Sequence, residues 1–301
     1  MEQGEEAVSA AAMPAAQAAS RWSPHAEECA CRKGAEQSAG KSVAVEYSHV
    51  YALGRIEMRF PRAAVEKEFA QAIGLAETAG LSDMQARHRV LAKRENRYLV
   101  RKLAWVFSIQ GLDTYLLQPR DAADYDLLVE AVRPQPDAKD IDVVLGVRGP
   151  IAPPEWGSAL ALPIVFFDQL YSFHSDELIA AIPRPERISA DDFAPAASEL
   201  FWRIMQLTDN AGATDEHRAL NYLAMRYPDL YGAVAEAHAD NRSLSAVDVR
   251  LSPMSGARRI VDVIFCFTER RYGTTTKSFV RVDVSEEFPF LASKLAPYYD
   301  R

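Results

Sequence analysis

The stretch "RIVDVIFCFTERRYGTTTKSFVRVDV", Arg259 to Val284, decides the fold class. Val261, Val263, Phe265 and Phe267 alternate with Asp262, Ile264, Cys266 and Thr268. A period of two is the signature of a strand with one face turned to a core. "RRYGTTT" supplies the turn, and "TTTKSFVRVDV" repeats the alternation. Just upstream, "SLSAVDVRLS" alternates as well, so a three-stranded β tail is expected. "EEFPFLASKLAPYY" then closes the chain as a helix or loop.

Before this tail, helical patterning dominates. Helices are expected over Asp176–Ile182, Asp191–Leu207, Asp215–Tyr227 and Tyr231–Ala239. The earlier part mixes both periods. "HVYALGRIEMRF", His49 to Phe60, alternates and predicts a strand, and Pro61 fits the first turn of a following helix with Val65, Phe69 and Ile73 on one stripe. Ser82 with Gln85 reads as a capping box. Gly111 in "AWVFSIQGLDTYLLQP" predicts a hairpin, and Asp121 caps a helix through Val132. "DIDVVLGVRGPIAPP" reads as a strand entering a Pro/Gly loop, and "LALPIVFFDQLYSF" as a strand that begins at Pro163 or lies at a sheet edge. Strands and helices do not alternate strictly, which excludes a doubly wound parallel sheet. The expected class is α+β in two lobes, with mixed or antiparallel sheet elements and packed helices. The lobes are 46–182 and 183–301, joined near "AAIPRPERIS", and residues 1–45 are a disordered Ala-rich tail.

The chain has 301 residues, 49% hydrophobic and 25% charged, enough for a sizeable core. The net charge of −8 opposes nucleic-acid phosphates, and no apolar run is long enough to span a membrane. Its three cysteines, Cys29, Cys31 and Cys266, form no disulfide framework, which fits the cytoplasm. His25, Cys29 and Cys31 form an H-x3-C-x-C cluster, but the spacing is tight and a fourth ligand is missing. Neither metal nor cofactor is expected. The Gly-rich phosphate loops, the nucleophile elbow and the H-E-x-x-H zinc motif are all absent.

"TDNAGATDEHRALNYLA", Thr208 to Ala224, is the densest polar cluster and has two readings. As structure, Thr214 caps a helix, Asp215 and Glu216 sit against its exposed N–H groups, and Leu220, Leu223, Ala224 and Tyr227 form the buried stripe. As chemistry, His217 is a general acid or base working with Asp215 or Glu216. A second candidate is Arg148, between two glycines, with Asp168 close by in sequence. Arg148, Asp168, Arg218 and Asn221 are the candidate peptide-contacting residues, through bidentate and amide hydrogen bonds. Asp191/Asp192 and Glu286/Glu287 read as helix starts.

Five longer phrases carry a resemblance: "YALGRIEMRFPRAAVEKEFAQA", "ENRYLVRKLAWVFSIQGLDTYLLQPRD", "VRGPIAPPE", "TDNAGATDEHRALNYLAMRYPDLY" and "VRVDVSEEFPFLASKLAPYYDR". Together, from about Val50 to Arg301, they resemble the C-terminal domain of PatG-type cyanobactin maturation proteases. That resemblance implies a role in pathways that modify and cyclise ribosomal precursor peptides. In the family the domain follows a subtilisin-like macrocyclase. This chain leaves no room for one, and no Asp/His/Ser triad can be placed, so macrocyclase activity is not implied. The resemblance supplies no catalytic residues; it puts His25, Cys29 and Cys31 where the family has a cysteine-containing linker. Three functions follow: a module that binds a precursor peptide or a partner enzyme, a peptide-tailoring enzyme, or a domain that stabilises or oligomerises its neighbours, including as a homo-oligomer.

Overall fold

The computed structural model describes residues 48–76, 78–156, 161–207 and 209–299. The expected tail and its His25, Cys29 and Cys31 lie outside the described residues. Strands are β1 (His49–Arg59), β2 (Ala104–Ile109), β3 (Leu112–Pro119), β4 (Asp140–Ile151), β5 (Pro163–His174), β6 (Arg242–Leu251), β7 (Ile260–Glu269), β8 (Thr275–Asp283) and β9 (Phe290–Pro297). Helices are α1 (Ala63–Leu75), α2 (Asp83–Ala92), α3 (Arg97–Lys102), α4 (Tyr125–Ala131), α5 (Ser175–Ala181), α6 (Ala190–Met205), α7 (Asp215–Arg226) and α8 (Pro228–Ala239). Two sheets with packed helices make an α+β fold, as the mixed periodicities predict.

The first five strands close into a barrel in the order β1-β2-β3-β5-β4, antiparallel except for the parallel β3–β5 pair. The last four form an open antiparallel sheet, β6-β7-β8-β9. The expected β tail thus gains a fourth strand: "FLASKLAP" pairs with β8 and is neither helix nor loop. Pro289 ahead of it favours extended backbone at the preceding residue, and the pairing partner exists only in three dimensions. Gly146–Ile151 corrects a second expectation. β4 runs through "GVRGPI" because Arg148 pairs with Val165 and Ile151 with Pro163 of β5.

Several local predictions hold. Ser82 and Gln85 close the capping box of α2. β2 and β3 turn over Gln110 and Gly111, both at positive φ, the geometry that matches the right-handed twist of a two-residue hairpin. Asp121 caps a short 3₁₀ turn, Ala122–Asp124, which leads into α4. Pro163 opens β5. Pro61 instead precedes α1, whose N-cap position is Arg62.

β1 explains how one strand serves the whole fold. Val50, Ala52, Ile56 and Met58 join a core with Trp105, Phe107, Leu117 and the apolar sides of α1 to α4. Tyr51 and Leu53, on the opposite face, join a second core with Phe201 of α6, Leu223 of α7 and Val263 and Phe265 of β7. Over residues 50–53 both faces are buried, so apolar residues follow one another there, and beyond Gly54 the exposed Arg55 and Glu57 alternate with buried Ile56 and Met58. The second core crosses the boundary expected near Ala180–Ser189. On β7 the residues opposite this core are also buried: Asp262 pairs with Arg281 at 3.1 Å, and Cys266 is a buried thiol. Among the described residues no helix is long and apolar enough to cross a membrane.

One irregularity positions a charge. β4 and β5 pair Leu145 with Gln169 and then Gly146 with Phe167, which leaves Asp168 as an extra residue on β5. This is a β-bulge, a device that re-aims a side chain. Gly146 lies opposite, and a Cβ there would sit 2.2 Å from the carbonyl oxygen of Phe166. Gly146→Ala is expected to cost about 1–3 kcal/mol, because backbone must shift to admit the methyl group. Gly256→Ala, where a Cβ meets nothing within 4 Å, is expected to stay within about 0.5 kcal/mol. Urea melts of the two variants check this; equal stabilities would refute the tight approach at the bulge.

Candidate functional site

Helix α7 is the element from which the site grows. Thr214 Oγ1 accepts the His217 N–H at 3.2 Å, closing the first turn, and Asp215 and Glu216 occupy that turn. Ala219, Leu220, Leu223 and Ala224 form the buried stripe. Two polar side chains are buried with them, Arg218 and Asn221, at 3% and 1% exposure. Helical periodicity explains the aliphatic residues but not these two.

Each is satisfied by a long-range partner. Asn221 donates to the carbonyl of Tyr51 in β1 at 2.7 Å and accepts from Asn210 at 2.8 Å. Arg218 reaches the turn between β8 and β9. It donates to the carbonyls of Val284 at 2.9 Å and Glu287 at 3.2 Å, and also to that of Glu286. Asp215 stands 3.4 Å from the same guanidinium and pairs on its other oxygen with Arg259. Burial lowers the Arg218 pKa, and Asp215 opposes that shift.

The turn that Arg218 holds carries the next group. Glu287 approaches Asp168, the bulge residue of β5, and Arg120 binds both, at 3.0 Å to Asp168 and 3.8 Å to Glu287. The Arg120 N–H also bonds the carbonyl of Phe167, which fixes it beside the bulge. Asp168 Oδ2 and Glu287 Oε1 are buried and receive no hydrogen bond. Burial, followed by the nearby Asp168 carboxyl, pushes the Glu287 pKa up to about 7. Like-charged carboxylates in contact do not both ionise readily, and a proton held between them relieves the conflict.

His49 faces the same constellation. Burial and then the Arg218 charge lower its pKa, so the neutral ring is favoured, against the pull of Glu286 and Asp215. Its Nδ1 is buried without a partner. His49, Asp215, Arg218, Arg259 and Ser285 line an open cleft of ≈370 Å³. The cleft therefore offers both signs of charge to a ligand. Among the described residues no group of three or more His, Cys, Asp or Glu could hold a metal.

The residues singled out from sequence are distributed as follows. Arg218, Asp215 and Asp168 come together around the β8–β9 turn. Asn221 is taken up by the α7–β1 contact. His217 is half-buried, its Nδ1 has no partner, and it does not line the cleft. Burial lowers its pKa, and the carboxylates acting on it are Glu216 and Asp209; Asp215 is engaged by two guanidiniums. Arg148 is exposed on β4, and the ion partner of Asp168 is Arg120 instead. Glu286 and Glu287 start no helix; they form the turn into β9. Sequence reasoning missed Arg120, Arg259 and His49, which lie in unrelated segments with no shared spacing. The Glu286/Glu287 pair was visible but read as a cap.

The raised Glu287 pKa has a definite sign. A carboxyl that holds its proton more tightly in the folded state stabilises fully below its unfolded value, and that contribution is lost as pH rises through the folded value. Stability from this group should therefore fall between about pH 4.5 and 7 and stay flat above. Glu287→Gln should remove that part of the pH dependence and gain most over wild type at pH 8. Parallel melting-temperature profiles for the two proteins would overturn the assignment. Separately, Thr214→Ala should cost about 0.5–2 kcal/mol. Arg218→Met should cost more, about 3–5 kcal/mol, because it strands three carbonyls and leaves Asp215 with Arg259 alone. Chemical denaturation gives the order, and a larger loss for Thr214→Ala would contradict it.

No curated protein matches the chain. A solved structure described as "PatG Domain of Unknown Function" shares its fold, with a TM-score of 0.67 and 22% identity, covering 83% of this chain and 98% of that one. The family described as PatG C-terminal matches residues 188–298, the segment that holds α6 to α8 and the open sheet. Residues 188–298 of this chain are thus similar in sequence to the PatG C-terminal family, and the fold as a whole is similar to that of the solved PatG domain.

Proposed function

We propose that the chain is a binding module in cyanobactin-like ribosomal peptide biosynthesis, engaging a precursor peptide or a partner enzyme. The observation that carries this reading is the β8–β9 turn. Phe288 and Phe290, each 45% exposed, project from the turn that also supplies Glu286 and Glu287. Exposed aromatics beside charged groups of both signs suit an extended peptide, which needs apolar anchors and polar orientation together. β9 is an edge strand of the open sheet, but its Leu291 and Leu295 N–H groups already donate to the Tyr222 and Tyr227 hydroxyls, so recognition falls to the side chains of the turn. The peptide context comes from the PatG resemblance, and the cytoplasm is the matching compartment.

A second reading, a peptide-tailoring enzyme, has one observation in its favour. Burial and then Asp168 push the Glu287 pKa up to about 7, in the range general acid–base chemistry uses, and burial lowers that of His49. They support that reading better than His217 with Asp215 or Glu216 does.

The deciding experiment mixes the purified chain with the precursor peptide of a neighbouring gene and reads calorimetry and mass spectrometry together. Saturable binding with unchanged peptide mass is expected. The double variant Phe288→Ser, Phe290→Ser should weaken binding by roughly tenfold or more. A mass change that is lost in Glu287→Gln would favour the enzyme. Absence of binding to both the peptide and its modifying enzymes would refute the module.

A further inference from the structure

We propose that a pocket bounded by β1, α2 and the end of α4 binds a small carboxylate that carries an apolar chain. It shares no residue with the cleft at α7, so it stands apart from the reading above. The pocket has a volume of ≈330 Å³, within the range of small-ligand sites. Its floor is apolar: Ile56, Met58 and Val132 are buried, and Met84 of α2 forms a wall. A thioether adapts its shape to what it meets.

The charges around the mouth are not balanced. Every carboxylate there already has a donor. Glu57 accepts from Arg59 at 3.1 Å. Asp137 accepts the Lys139 N–H at 2.8 Å and faces His174 at 3.3 Å. Asp140 accepts the Asp137 N–H at 2.6 Å and pairs with Arg133. Asp142 takes the Ile56 N–H at 2.7 Å and the Ser172 hydroxyl, and burial favours its protonated form. The guanidiniums are met differently. Arg55 donates to a neutral acceptor, the carbonyl of Ala138. Arg87, half-buried one turn after Met84 on α2, has no hydrogen bond or ion pair among the described residues.

One uncommitted guanidinium above an apolar floor defines the ligand. Its planar fork matches a carboxylate in two parallel hydrogen bonds. A phosphate would call for more donors than the pocket offers. The floor takes an aliphatic chain such as that of leucine. Two sources share this chemistry, a free apolar acid and the C-terminal residue of a peptide.

Calorimetry on the full chain tests the site with N-acetyl-L-leucine, its amide, and the free acid of acetyl-Ala-Ala-Leu. The acid should bind saturably and the amide roughly tenfold more weakly, the loss expected of a charge-assisted contact. Arg87→Gln should lose a similar factor without a change in melting temperature, and Met84→Trp should block binding by filling the floor. Tighter binding of the tripeptide assigns a peptide C-terminus, and tighter binding of the single residue assigns a free acid; either outcome supports the site. Equal binding of acid and amide, full binding by Arg87→Gln, or no saturable binding to wild type would overturn it.

Discussion

Helix α7 packs between the barrel and the open sheet, and two buried polar side chains on one of its faces connect the two. Asn221 bonds the backbone of β1 in the barrel, and Arg218 bonds three carbonyls at the β8–β9 turn of the open sheet. A polar group removed from water must find its partners within the protein, and an unmet one costs more than a met one contributes. The two contacts therefore act as specificity devices. They reject arrangements in which the helix packs its aliphatic stripe correctly but sits at another height or rotation. Apolar packing alone, being non-directional, cannot do this.

That arrangement explains why charge collects where it does. Arg218 brings the β8–β9 turn against the barrel, which delivers Glu287 to the bulge residue Asp168. Arg120 holds both carboxylates. The outcome is an acid pair held by Arg120 on one side of Arg218, and a cleft lined by His49, Asp215 and the exposed Arg259 on the other. Most of these charges are already answered within the fold. What remains for a ligand is the outer face of Arg259 and the aromatic pair Phe288 and Phe290. Such a surface recognises more readily than it reacts, which is the physical ground for preferring a binding module.

The barrel makes a separate contribution. Its closure satisfies every strand edge, so interactions there depend on pockets. The pocket beneath Arg87 and the β8–β9 turn are thus different kinds of surface, one an apolar hollow under a guanidinium and the other exposed aromatics beside charges of both signs.

Sequence alone determined the α+β class, the local elements and much of their chemistry. Periodicity found β1, β7, β8 and the stripe of α7, because burying one face leaves a repeat of 2 or 3.6 in the chain. Ser82, Asp121 and Thr214 announced their caps, since capping is satisfied within three residues. Tertiary structure decided what depends on distant partners. β9 is a strand because β8 lies beside it, and Gly146–Ile151 is a strand because β5 does. Glu287 gains its proton affinity from burial and then from Asp168, far earlier in the chain, and Arg218 is buried because carbonyls 66 to 69 residues away receive it. The sequence placed Asp215, Arg218 and Asp168 among its candidates but could not join them. Hydrogen bonds and charges act across a few ångströms of space, and linear spacing carries no record of which segments the fold brings that close.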